Sequence, residues 1–270
     1  MGSMLTKEFL DELYERHHRL GNLFPDPLVY ARGYDDPKEG EVAGLIAASL
    51  AYGRVEKIVE ALGFVFERLG PRPRATLLAI GPKELSKKFE GFVYRFHKGA
   101  DIALFLWLVR GALARWGGLG ELFSASRDGD MGRTLTEFSA GISRQDPRPF
   151  LSGGELPKGH PVRFLVASPA SGCAAKRLCL YLRWMVRKDE LDPGYWAGMV
   201  DPASLVVPLD THVAKVGRTL GMTARKAADW RTALEITDRL RAFYPNDPLR
   251  ADFSLFRFGM KDLKEWQKVT

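Results

Sequence analysis

Residues 41–52, EVAGLIAASLAY, are apolar on nearly every side of a helix. A helix with no face for water belongs at the centre of a bundle, and its small residues let neighbouring helices come close. The same period continues downstream. After Gly53, the residues Val55, Ile58, Val59, Leu62, Phe66 and Leu69 recur at helical spacing as far as Gly70-Pro71, which predicts a second helix. Asp101 is placed to cap a third, Ile102 to Trp116, and a weaker helix is expected over 133–142. Residues 143–161, rich in Pro and Gly, then read as a loop and a lobe boundary. Val162 to Ala167 leads into a turn at Ser168-Pro169-Ala170-Ser171-Gly172. From Ala174 to Lys188 a helix is expected, with Leu178, Leu182, Met185 and Val186 on its apolar face. Asp229 is placed to cap a helix running to about Phe243, and Asp247-Pro248 to start a last one with Pro in the first helical position. No alternating, strand-like run interrupts this pattern, so the expected fold class is all-α, with about ten helices.

The bulk numbers fit an ordinary globular chain. With 270 residues, 46% hydrophobic and 27% charged, it is large enough for one big core or two lobes. Forty Lys+Arg against 33 Asp+Glu leave a net charge of +7, a moderate excess that favours a polyanionic partner without demanding one. Two cysteines, Cys173 and Cys179, are too few for a disulfide framework and cannot alone complete a zinc or iron–sulfur site. They read as small buried hydrophobes. His17 and His18 lack a carboxylate or cysteine at ligand spacing, so neither metal nor cofactor is expected. No stretch has the order of a signal peptide, and the longest apolar run, Ile102 to Val109, ends at Arg110. The expectation is a cytoplasmic monomer with no membrane contact. Met1-Gly2-Ser3 ahead of Met4 reads as a vector-encoded remainder outside the fold.

The chemistry gathers in two segments. In Val207 to Arg218, VPLDTHVAKVGR, an acid stands at the mouth of a helix just after an apolar run. Asp210 or Thr211 can cap that helix, Val213, Val216 and Leu220 supply its apolar stripe, and Gly221 ends it. Capping alone accounts for an aspartate at this place. About thirty residues upstream, the small-residue turn through Ser171 and Gly172 opens a helix with Lys176 in its first turns. Such a turn is a ready anion site able to hold a phosphate. A lysine and an aspartate delivered by separate helices to one cleft can do nucleophilic amine chemistry, although a solvated or phosphate-contacting lysine is the plainer reading. Arg177, Arg183, Arg187 and Lys188 charge the same helix, as a phosphate-contacting stripe or as a solvated face. Tyr52-Gly53-Arg54 pairs an aromatic with a cation at a glycine-permitted bend, either a wedge for a base stack or, for Tyr52, ordinary core. His212 stands beside Asp210 and reads as a helix-terminus histidine.

Taken together, the turn-helix with Lys176, the stretch Pro208-Leu209-Asp210-Thr211-His212-Val213 and the closing Asp252-Phe253-Ser254-Leu255-Phe256-Arg257-Phe258-Gly259 resemble the helix-hairpin-helix (HhH-GPD) superfamily of DNA glycosylases that includes endonuclease III. The whole chain also looks like an uncharacterised bacterial family assigned to that superfamily, with motifs of the form SGCxxKRLxLxLRWMVR and PLDTHVA. The likeness is best over 160–260. It implies an all-α fold of two helical lobes: approximately 30–150 in one, with 4–29 and 151–270 forming the other, which carries the hairpin and the aspartate. It further implies a base-excision glycosylase acting on damaged or abasic DNA, an oxidised guanine being one candidate base. In that family the lysine attacks the sugar C1′ and the aspartate stabilises charge as the base leaves, the roles that fall here to Lys176 and Asp210. Ser171, Gly172, Arg177, Arg183, Arg187, Tyr52, Arg54 and His212 would then line the DNA.

Three departures accompany the likeness. The hairpin is Ser168-Pro169-Ala170-Ser171-Gly172-Cys173 in place of Leu-Pro-Gly-Val-Gly, with its last glycine four residues before Lys176 instead of two. Lys176 and Asp210 stand further apart than in endonuclease III, as in the archaeal oxidised-guanine glycosylases, because Asp189 to Ser204 looks inserted. The cysteine cluster is missing, and Tyr52-Gly53-Arg54 replaces the glutamine that follows the first buried helix. The alternative function is a non-catalytic helix-hairpin-helix module that grips a DNA or RNA backbone, with Asp210 only a cap.

Overall fold

The structure, a computed structural model, describes residues 5–269, so the Met1-Gly2-Ser3 expectation lies outside the described residues. In chain order the helices are α1 (Lys7–His17), α2 (Leu28–Ala31), α3 (Pro37–Ser49), α4 (Val55–Leu69), α5 (Pro73–Ala79) and α6 (Pro82–Lys88). A hairpin of β1 (Val93–Tyr94) and β2 (His97–Lys98) follows, then α7 (Gly99–Trp116), α8 (Leu119–Ala125), α9 (Met131–Ser143) and α10 (Val162–Leu165). The chain closes with α11 (Lys176–Val186), α12 (Thr211–Thr219), α13 (Trp230–Arg241), α14 (Asp252–Lys261) and α15 (Leu263–Val269). The fold is all-α apart from the hairpin. The fifteen α-helices among the described residues exceed the expected ten because six of them run only four to seven residues, too short to show a period.

The chain divides into two compact units, residues 25–168 and residues 1–24 with 169–270. Residues 25–29 and 151–168, expected with the outer segments, therefore belong to the central unit. The Pro/Gly-rich loop lies inside that unit, and the chain leaves it at the turn before α11.

In the central unit, α3 is buried from Glu39 to Ser49, as its composition demands. Asp36 caps it by accepting from the Lys38 amide at 2.9 Å, and Pro37 takes the first helical position. Its two buried acids have a common use. The Glu39 carboxylate accepts the amides of Arg74 (2.6 Å) and Ala75 (3.1 Å) at the start of α5, and that of Glu41 accepts those of Leu119 (2.8 Å) and Gly120 (2.9 Å) at the start of α8. Each carboxylate thus satisfies the orphan donors of a neighbouring helix and sits at the positive end of its dipole. Asp101 is not the cap of α7. The helix starts two residues earlier, at Gly99, and Asp101 reaches back from its first turn to accept the Lys98 amide at 2.8 Å.

The hairpin was invisible to period counting, since each strand has only two residues. Tyr94 pairs with His97 across a tight turn in which Arg95 takes φ +54°, a left-handed conformation with no glycine to announce it.

In the other unit, α14 packs on both α1 and α12. Phe9 meets Phe258 edge-on at 5.6 Å, and the Tyr244 hydroxyl donates to Asp11 Oδ1 at 2.7 Å. Gly259 lets α14 approach α12, because a Cβ there would sit 2.9 Å from Val216 Cγ2. The helix expected from Asp247-Pro248 begins instead at Asp252. Residues 244–250 form successive turns, and the Asp247 carboxylate is held by Arg187 Nε at 3.0 and 3.1 Å rather than by a helix start. No single helix among the described residues is long and apolar enough to cross a membrane.

Candidate active site

Lys176 and Asp210 meet. The lysine is the first residue of α11, entered through a 3-10 turn at Pro169–Ser171, Gly172 at φ +79° and Ala175 at φ +49°. Those two left-handed residues turn the chain so that α11 starts at Lys176, two residues later than the sequence suggests. Asp210 is the N-cap of α12. Its Oδ1 accepts the amides of His212 (2.9 Å) and Val213 (2.8 Å), while Oδ2 lies 3.5 Å from Lys176 Nζ. One oxygen does the capping and thereby fixes where the other points. The carboxylate is mostly buried, 11% exposed, and the lysine side chain is 33% exposed, so the amine remains reachable from solvent.

An amine and an oriented carboxylate at this range can act on a carbon that develops positive charge: the carboxylate stabilises the cation and the amine supplies the electron pair. The other expected site residues on these two segments differ in exposure. Ser171 and Gly172 are exposed in the turn, and the Ser171 hydroxyl donates to Cys173 Sγ at 3.2 Å. Arg177 is half-buried in the first turn of α11. His212 is half-buried, its ring perpendicular to that of Phe256 at 5.8 Å.

The basic stripe expected on α11 is not a surface. Arg183 and Arg187 are 3% and 5% exposed and bind carboxylates. Arg183 Nη1 donates to Asp252 Oδ2 at 2.7 Å, and its Nη2 to Asp192 Oδ1 at 3.0 Å. Arg187 reaches Asp192 Oδ2 at 2.5 Å, Asp189 Oδ2 at 2.8 Å and Asp247. The expectation that these two arginines contact phosphates is therefore corrected: the helical angle was right, but acids from the Asp189–Ser204 segment and from residues 247–252 fold over that face and neutralise it. Burial pulls the Arg187 guanidinium down, yet Asp192, Asp247 and Asp189 outweigh it and hold the pKa above its ordinary value. Burial likewise raises the Asp189 carboxyl, but His18, with Nε2 at 3.1 Å, and Arg187 bring it well below the usual carboxylate range. Asp252 goes the other way. Burial lifts its carboxyl, Arg183 opposes this, and Asp210 and Asp192 add to the rise. Its Oδ1 is buried without a hydrogen-bond partner. Sequence reasoning passed over Asp252 as a site neighbour, although its place in the DFSLFRFG stretch was the available signal.

Cys179 is buried, and burial pushes its thiol far above the ordinary range. Cys173 is only half-buried, and accepts from the Ala175 amide at 3.3 Å in the turn.

Tyr52 and Arg54 belong to the central unit. The Tyr52 hydroxyl bonds His97 Nδ1 at 2.6 Å, and its ring packs among Tyr94, Phe96 and Phe164. It is a half-buried member of an aromatic cluster. Arg54 is 84% exposed, with Glu56 at 3.6 Å.

A family model described as a protein of unknown function (DUF2400) matches residues 26–261, and the chain belongs to that family. No curated protein and no solved structure matches it.

Proposed function

We propose that this DUF2400 protein is a base-excision DNA glycosylase of the helix-hairpin-helix (HhH-GPD) kind, with AP-lyase activity through Lys176. The observation that carries the reading is the 3.5 Å approach of Lys176 Nζ to Asp210 Oδ2 from two helix starts far apart in sequence. In the proposed reaction the bond between C1′ and the base nitrogen breaks, and its electron pair leaves with the base. Asp210 Oδ2 stabilises the cationic sugar, and the Lys176 lone pair forms the new C1′–N bond. The new ammonium gives a proton to the Asp210 carboxylate or to water, the C1′–O4′ bond then breaks with O4′ taking up a proton, and the Schiff base so formed loses a C2′ proton as the 3′ phosphate leaves by elimination. The exposed turn at Ser171-Gly172 ahead of α11 is the natural phosphate contact, and the net charge of +7 favours a polyanion.

The second reading, a non-catalytic DNA- or RNA-gripping module, draws on the two amides that Asp210 caps. Borohydride trapping with a panel of lesion-bearing and abasic oligonucleotides separates the two. A covalent adduct on at least one substrate supports the enzyme; binding without adduct or base release on every substrate supports the module.

A further inference from the structure

The central unit carries a feature that the proposed chemistry does not use. Three large apolar side chains stand in solvent around the β1–β2 hairpin: Val93 at 74% exposure, Phe96 at 50% and Phe164 at 37%. The two phenylalanines touch edge-to-face at 5.0 Å, and Tyr52 lies 6.0 Å from Phe96 and 5.0 Å from Phe164. Beneath them His97 is fully buried with both ring nitrogens engaged. Nε2 meets the Pro161 carbonyl at 3.0 Å and Nδ1 the Tyr52 hydroxyl at 2.6 Å, which ties β2 to α10 and to the end of α3. Phe96 is thus an exposed ring on a rigid seat.

Cations surround the rings. Arg54, Lys57, Arg95 and Lys98 are exposed at the hairpin, with Glu56 beside Arg54, Glu60 paired to Lys57 at 2.5 Å and Asp101 on the Lys98 amide. Arg95 keeps its place at a cost: a residue with a Cβ at φ +54° is strained by about 1–2 kcal/mol. Its guanidinium lies over Gly53, where a Cβ would come within 3.1 Å of Nη1. Arg54, Lys57, Phe92, Tyr94 and Arg95 line a recess of about 410 Å³ next to the hairpin. Aromatic faces held among cations match a nucleic-acid strand with unstacked bases, whose rings stack on the aromatics while its phosphates meet the cations.

We infer that the 93–98 hairpin is a stacking platform for unpaired nucleobases, with Phe96 and Phe164 as the stacking rings and Arg54, Arg95 and Lys98 as the backbone contacts. This rests on the nucleic-acid reading of the protein, and it moves the stacking role from Tyr52, held below the surface, to Phe96.

The test is fluorescence anisotropy of a labelled oligothymidine with the whole protein. Phe96→Ala should weaken single-strand affinity roughly ten- to one-hundred-fold, with the salt dependence unchanged because the phosphate contacts remain. Phe96→Trp should bind at least as well as wild type. The exposed Phe24, in the other unit, supplies the control Phe24→Ala, which should bind as wild type. Equal affinity of wild type and Phe96→Ala overturns the platform, whether or not a borohydride adduct forms. Phe96-dependent binding with neither adduct nor base release on any substrate leaves the platform standing and overturns the glycosylase chemistry alone. Wild type that binds no oligonucleotide, but self-associates in a Phe96-dependent way, makes the patch a protein contact and overturns the inference.

Discussion

Replacing Arg183 by alanine removes the cation that Asp252 binds among the described residues. Asp192 keeps Arg187 at 2.5 Å, whereas Asp252 keeps an Oδ1 that has no hydrogen-bond partner and loses the one bond its Oδ2 makes to Arg183. Breaking a buried ion pair on one side strands the other charge and costs about 3–5 kcal/mol. For a chain of this size that is a fall of roughly 6–20 °C in melting temperature. The sign with pH follows from Asp252. Its carboxyl is already raised by burial, so protonation favours the folded state, and the loss of Arg183 enlarges that effect. The deficit of Arg183→Ala against wild type should therefore shrink as pH falls from 8 toward about 4, into the range where the unfolded carboxyl also takes its proton. Adding Asp252→Asn should restore about 1–3 kcal/mol, because a neutral amide tolerates burial better than a stranded carboxylate. Thermal unfolding by circular dichroism across that pH range measures all three effects. A melting temperature within about 1 °C of wild type, together with weakened oligonucleotide binding, would refute the buried network and return Arg183 to the surface.

Three further outcomes follow from local geometry. His17 has its pKa depressed below 6.5, chiefly by burial and against the pull of Asp262, so the unfolded state binds the proton more readily. Stability should fall as pH drops below about 6.5, and His17→Gln should flatten that part of the melting-temperature profile. Gly99→Ala places a Cβ 2.0 Å from the Phe89 carbonyl oxygen, which forces the start of α7 to shift and should cost about 1–3 kcal/mol in urea unfolding. Asp210→Ala removes the acceptor of two amides and should lower stability by about 1 kcal/mol, whereas Asp210→Asn keeps the cap and should melt as wild type.

The long helices were readable because they satisfy period and punctuation together. For α4 the apolar spacing and Gly70, which closes the helix at φ +74°, agree, and α12 carries its cap in Asp210 and its stop in Gly221. Two kinds of feature were not. The hairpin depends on a left-handed Arg95, and residue type alone points away from that conformation. The fate of Arg183 and Arg187 depended on acids up to 69 residues away in the chain, where helical angle carries no information. Asp247 illustrates the same limit: Asp-Pro has the composition of a helix start, but a tertiary ion pair claimed the side chain. The Lys176–Asp210 pair was legible as two helix starts, but their approach is a property of packing.

The central claim is that these two residues act as one catalytic pair with separable roles. The most direct measurement is borohydride trapping alongside base release for wild type, Lys176→Gln and Asp210→Asn on one lesion-bearing duplex that wild type processes. Lys176→Gln should form no adduct, and Asp210→Asn should slow base release on the order of 10²–10³-fold at an unchanged melting temperature and with DNA binding kept. An adduct of wild-type yield from Lys176→Gln, or base release at the wild-type rate from Asp210→Asn, would contradict the account.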